Sequence, residues 1–176
     1  MFAAARVALG RLEDRGVPAE TIVRAFRRYD ATCLRLTQGQ DSDMGFETRQ
    51  DVNVDEYVNM ITGKTSVLIS LCAELGALIG GESAQTVTHY HDFGLNLGLA
   101  FQVLDDILGI WGDEETIGKS ATTDISTRKK TLPILYGLEN DEKLAKIYFD
   151  TSIPEAEFVP EAVSYTHLTL PTICSV

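Results

Sequence analysis

Helix breakers are scarce in this chain, and that scarcity constrains the fold more than any other feature. There are 5 prolines among 176 residues. Most lie outside the apolar-periodic stretches, so long runs of sequence can stay in one helix. Apolar residues recur at three-to-four spacing, the period of a helix face, instead of alternating as in a half-buried strand. The spacing predicts a first helix from Phe2 to Arg15, ended by Gly16, Val17 and Pro18. A second runs from Ala19 to about Gly39, with Ile22, Ala25, Phe26, Tyr29, Cys33 and Leu36 on one side. Asn53 or Asp51 is the expected N-cap of a third, with Asp55 and Glu56 in its first turn, where carboxylates suit the macrodipole. Its apolar seam is Tyr57, Ile61, Leu68, Leu71, Leu75 and Leu78, stopped by Gly80-Gly81. Ser83 opens a long fourth helix with Val87, Tyr90, Gly94, Leu97, Phe101, Leu104 and Leu108 as its seam, ending near Gly112. Residues 113–130 read as a polar loop, followed by helices over Leu132 to Leu138 and Glu142 to Phe149. The expected fold class is therefore all-α, with residues 1–163 as one domain. From 164 to 176 the text SYTHLTLPTICSV turns Thr-rich and β-leaning. It looks more like the read-through of a sequencing adapter than a protein element, and is set aside as a non-native tail.

Charge and cysteine usage narrow the function. The net charge is -11, which argues against nucleic acid or an anionic membrane surface as partner, since both need a basic face. Positive charge is nonetheless gathered in Arg128, Lys129 and Lys130, so a local anion site is possible. Three cysteines, Cys33, Cys72 and Cys174, are widely spaced and form no CxxC pair. That usage points to a reducing compartment and a cytoplasmic location. No apolar run reads as long enough to span a membrane, and no signal-peptide order is visible at the N-terminus.

Polar residues that interrupt apolar seams need a reason, because an unpaired charge in a core is costly. Lys64 falls on the third seam between Ile61 and Leu68. On the fourth helix Gln102, Asp105 or Asp106, and Gly109 succeed one another at three-to-four spacing, so they share a stripe beside the seam. Gln40 and Asp43 stand three apart where the second helix can continue past Gly39. Packed in a bundle, these stripes can line one cavity. Carboxylates on a helix opposite a loop carrying Lys119, Asp124, Arg128, Lys129 and Lys130 can hold a divalent metal against a diphosphate. Plainer readings stand beside this one. Asp105-Asp106 can be a solvated helix face; Lys64 can snorkel to the rim with its stem packed. Gln102 can bond a neighbouring helix, Gln40 and Asp43 can belong to a turn, and Lys119 and Lys129 can be simple loop cations. Other motifs fail. The stretch ending Gly118-Lys119-Ser120 is one residue too long for a P-loop, comes after no strand, and carries Asp113, Glu114 and Glu115. His89 and His91, two apart on a helix, diverge and make a poor zinc pair.

Taken together, Phe101-Gln102, Asp105-Asp106, Gly112-Asp113, Gly118-Lys119, Asp124 and Lys129 resemble the second aspartate-rich region of the polyprenyl synthetase family, the trans-isoprenyl diphosphate synthases. Gly39-Gln40 with Asp43, Gly63-Lys64-Thr65, and Arg-Lys-Lys-Thr-Leu-Pro at 128–133 extend the likeness in the same order. It covers roughly residues 2–150. The resemblance implies an all-α isoprenoid synthase bundle and magnesium-dependent condensation of an allylic diphosphate with isopentenyl diphosphate. It further implies that Asp105 binds Mg2+ with Asp106 in support, and that Lys64, Lys119 and Lys129 face the diphosphate. Gln102, Thr65 and Gln40 would orient the diphosphate or metal-bound water, and a homodimer is the expected assembly. The third aspartate of the motif is Gly109 here, and no first aspartate-rich motif is present. The resemblance thus implies an incomplete bundle, a truncated form inactive alone. An alternative is a non-catalytic regulatory or small subunit of a prenyl diphosphate synthase; a terpene cyclase of the same fold lacks support from any Asn-Asp-x-x-Ser-x-x-x-Glu pattern.

Overall fold

The computed structural model describes residues 2–112 and 123–169, apart from the side chains at 123 and 167–169. Among them every regular element is helical, as expected. The elements are α1 (Phe2–Gly10), α2 (Ala19–Phe46), α3 (Val54–Ile61), α4 (Val67–Ile79), α5 (Ala84–Trp111), α6 (Thr123–Ser126), α7 (Leu132–Asn140), α8 (Glu142–Phe149) and α9 (Glu155–Thr169). A π-helical turn, Thr62–Ser66, links α3 to α4. The chain divides into two compact units, Met1–Ser42 with Asn59–Gln102 and Asp43–Val58 with Val103–Val176.

Local chemistry explains several helix ends. Of the two cap candidates for α3 it is Asn53 that acts. Its Oδ1 accepts from the Glu56 backbone N–H at 2.9 Å, and Glu56 Oε2 accepts from the Asn53 N–H at 3.1 Å, a reciprocal capping box. Arg49 donates to Glu56 at 2.8 Å and to Asp51 at 2.9 Å, and these bonds hold both carboxyls below the usual carboxylate range. Ser83 Oγ accepts from the Thr86 N–H at 3.1 Å and starts α5. Asp141 accepts from Lys143 and Leu144 at the start of α8. α1 is shorter than predicted: it stops at Gly10, and a 3-10 turn, Glu13–Arg15, leads to the left-handed Gly16. No α1 residue is buried, so tertiary packing does not carry the helix past a poor helix former.

In the first unit, Ala25, Ala77, Leu78 and Val87 form the core, with Leu9 and Leu75 against it. Small residues set the packing distance. A Cβ at Gly94 would come within 2.6 Å of the Ser70 Cα, and one at Gly98 within 2.5 Å of the Ser66 Cα. α5 therefore lies backbone against backbone on α4 and the π turn. Of the predicted seam Val87 and Gly94 pack, whereas Tyr90, Leu97, Phe101, Leu104 and Leu108 are 39–57% exposed. Counting large apolar residues picked the wrong side of this helix from Leu97 onward. The third seam shifts as well. The π turn inserts a residue and rotates the helix C-terminal to it, so Tyr57, Ile61, Leu71 and Leu78 stay buried while Leu68 is exposed and Ser66, Ser70 and Glu74 turn inward. Glu74 is paired there with Arg28 at 2.9 Å.

The second unit has its own core of Ile110, Ile125, Ile134, Leu144, Tyr148, Phe158 and Ala162. The last two come from α9, whose helix includes residues 164–169; the β-leaning text makes no strand there. By length and composition alone, Val54–Ile79 and Ala84–Trp111 could each cross a membrane, which corrects the expectation that no run is long enough. Both carry a buried acid with protein partners, Glu74 and Asp106, as bundle helices that house polar sites do.

Candidate functional site

Within the first unit the expected phosphate-side residues gather on the π turn. Gly39 of α2 and Gly63 of the turn meet without side chains between them; a Cβ at Gly39 would collide with the Lys64 backbone nitrogen. Gln40, the next residue on α2, is exposed beside this crossing, and Lys64 and Thr65 are half-buried. Thr65 Oγ1 donates to Gln102 Oε1 at 2.8 Å. Lys64, Thr65 and Gln102, three candidates from two motifs, are thus tied to one turn and the helix facing it. The turn itself was not predicted. π turns recur at functional sites because an inserted residue breaks the regular ladder and redirects side chains.

Within the second unit the two aspartates part company. Adjacent residues on a helix point about 100° apart. Asp105 is exposed, whereas Asp106 is 1% exposed. The Tyr57 hydroxyl donates to Asp106 Oδ2, and the Leu132 N–H donates to the same oxygen at 3.4 Å. Burial, then the charge of Asp106, pushes the Tyr57 phenol far above its ordinary range, so it stays a neutral donor. Asp106 thereby ties α5 to α3 and to the start of α7. Tyr57 was placed in the third seam as an apolar residue; a buried tyrosine hydroxyl needs a partner, and that was the missed signal.

The basic run divides as sharply. Arg128, at φ 53, donates to the carbonyls of Ile147 at 3.0 Å, Tyr148 and Asp150 at 2.8 Å. Its guanidinium also lies 3.8 Å over the Phe158 ring. It closes the C-terminus of α8 and is not part of an anion site. Lys130 donates to the Glu47 carbonyl at 3.0 Å, and burial lowers its pKa. Of the three, Lys129 keeps its ammonium beside a carboxylate, 3.5 Å from Asp124 Oδ1. Its backbone is fixed by its own N–H to the Asp124 carbonyl at 2.9 Å and by the Tyr148 hydroxyl to its carbonyl at 2.7 Å. Lys119 lies outside the described residues.

Among the described residues no group of three His, Cys, Asp or Glu gathers as a metal cage. Magnesium does not require one: it is usually held by one or two carboxylates with substrate phosphates and water. An exposed Asp105 beside an anchored Asp106 fits that donor set.

The chain matches known proteins over most of its length. The polyprenyl synthetase family model matches residues 1–165. A geranylgeranyl diphosphate synthase of Sulfolobus acidocaldarius is 44% identical over 132 residues, which is 73% of this chain and 40% of that protein. One of Mycobacterium tuberculosis is 42% identical over 123 residues, covering 70% and 35%. The crystal structure of a geranylgeranyl pyrophosphate synthetase from Pyrococcus horikoshii superposes with a TM-score of 0.79 at 32% identity, covering 88% of this chain and 48% of that one. A polyprenyl synthetase from Streptomyces coelicolor gives 0.79 at 32%, covering 95% and 53%. The chain therefore spans about two fifths of the sequence relatives and half of the solved ones.

Proposed function

The chain belongs to the polyprenyl synthetase family, and from that premise we propose that it takes part in magnesium-dependent condensation of an allylic diphosphate with isopentenyl diphosphate. In that reaction the allylic C–O bond breaks and its electron pair leaves with the diphosphate. The isopentenyl double bond attacks the allylic carbon, and loss of a proton from the new cation restores a double bond. The difficult part is stabilising charge on the departing diphosphate.

Asp105 holds Mg2+ in this reading, and the metal supplies Lewis-acid neutralisation of the diphosphate when bound. Asp106 keeps the helix end rigid through Tyr57 and the Leu132 N–H, so the Asp105 carboxylate is presented without reorganisation. Lys129, with Lys119, adds point charge to a diphosphate, and Lys64 in the first unit is assigned to a substrate phosphate. Thr65 and Gln102, bonded to each other, orient a diphosphate oxygen or a water, and Gln40 assists. The observation that carries the reading is the split of the aspartate pair into one anchored and one exposed carboxylate. A homodimer in the cytoplasm is the assembly and place we assign.

A chain of the relatives' length that carries this sequence tests the proposed reaction. Radiolabelled isopentenyl diphosphate should enter longer products only with magnesium, and Asp105→Ala should lower kcat at least about a hundredfold, the scale of removing a key charge-stabilising group. Unchanged turnover would remove Asp105 from the metal site.

A further inference from the structure

Gly39 is buried inside α2, and a glycine is a poor helix former, so its bare Cα needs a reason. A Cβ built there would collide with the Lys64 backbone nitrogen and lie 2.5 Å from the Gly63 carbonyl carbon and 2.9 Å from the Lys64 Cα. All three are main-chain atoms, which no change of rotamer can clear. The crossing is lopsided. A Cβ on Gly63 would meet the Arg35 carbonyl oxygen and the Gly39 Cα at 3.1 Å, an overlap that a shift of about a few tenths of an ångström relieves. Nor can the turn retreat from α2, because its other side rests on α5: a Cβ on Gly98 would come within 2.5 Å of the Ser66 Cα. Between these two contacts the Val67 N–H donates to the Thr62 carbonyl, the spacing that makes the turn π. Thr65 Oγ1 donates to Gln102 from the same turn.

We propose that Gly39 is a positioning residue: its missing side chain lets the turn lie against α2 in the π form, and that form sets the directions of Lys64 and Thr65. A side chain at 39 acts on the Lys64 main chain itself. With α5 behind it, the turn yields by rotating, which breaks the π bond, re-aims Lys64 and separates Thr65 from Gln102. The glycine that must stay is the one on α2. The one inside the turn, although next to Lys64 in sequence, is replaceable. This inference rests on the phosphate reading for its ligand, but the placing of the turn does not.

Two measurements on this chain separate the parts. Through-hydrogen-bond NMR coupling between the Val67 N–H and the Thr62 carbonyl reads the turn. It should be present in the wild type and in Gly63→Ala, and absent in Gly39→Ala while helicity is kept. Titration calorimetry with inorganic pyrophosphate and magnesium reads the ligand. Gly39→Ala and Lys64→Ala should each weaken binding about tenfold, the scale of one charge-assisted contact, and Gly63→Ala by less than about threefold. In a Lys64→Ala background Gly39→Ala should cost less than about threefold more, a non-additivity that a merely destabilised helix would not produce. A coupling that survives in Gly39→Ala, or Gly39→Ala binding equal to wild type, overturns the positioning role. A Gly63→Ala chain that loses the coupling overturns it even if Gly39→Ala does not fold. Wild type that binds no pyrophosphate, while the coupling responds as expected, overturns the phosphate reading and the role of Lys64 in it, and leaves the placing of the turn standing.

Discussion

Asp106 and Tyr57 form a buried charge-bearing pair, and such pairs matter most when one partner is removed. Tyr57→Phe deletes a donor to Asp106 Oδ2 and leaves the longer Leu132 contact to that oxygen in place. We expect a loss of about 2 kcal/mol in unfolding free energy, the scale of a hydrogen bond to a buried charged group, measured by urea titration. The tyrosines also set an alkaline limit. Burial raises Tyr57, and burial and then the nearby Asp124 charge raise Tyr148. A phenol raised in the fold keeps its proton after the unfolded chain has lost it. That contribution is fully present below pH ~10 and is lost as pH rises beyond it. Spectrophotometric titration should show these two phenols ionising only as the chain unfolds; free ionisation near pH ~10 in the folded state would contradict their burial.

Elements were legible where the sequence writes its own boundary. Asn53, Ser83 and Asp141 cap helices through bonds that span two or three residues, so local chemistry decides them. Two features were not local. The π turn depends on Gly63 meeting Gly39, 24 residues away, and nothing in the third seam's periodicity announces it. The close-packed face of α5 holds Gly94, which the seam included, and Gly98, which it did not; both let two backbones meet. Large residues are what periodicity detects, so the exposed Tyr90, Leu97, Phe101, Leu104 and Leu108 were taken for buried ones. The fit is tight enough to test: Gly98→Ala should destabilise by roughly 1–3 kcal/mol, the usual cost of overpacking, although alanine is the better helix former. Thermal unfolding would show it, and an unchanged midpoint would mean that α5 does not lie so close to Ser66.

At the scale of the whole molecule, the motifs gave the family, and the all-helical fold came from period and scarce breakers. The division of labour among the charges did not. Asp105 and Asp106, or Arg128, Lys129 and Lys130, are equivalent in a sequence and differ only in what tertiary structure places against each one. Burial selected Asp106 as an anchor, three carbonyls and a ring claimed Arg128, and Asp124 kept Lys129. The ligand chemistry we propose falls to Asp105 with Lys129 in the second unit, and to Lys64 with the Thr65–Gln102 pair in the first. Calorimetric binding of inorganic pyrophosphate with and without magnesium, comparing wild type with Asp105→Ala, is the most direct test of that selection. Magnesium should tighten binding in the wild type at least about tenfold and leave Asp105→Ala unimproved. An equal magnesium effect in both would show that Asp105 holds no metal and would contradict the proposed chemistry.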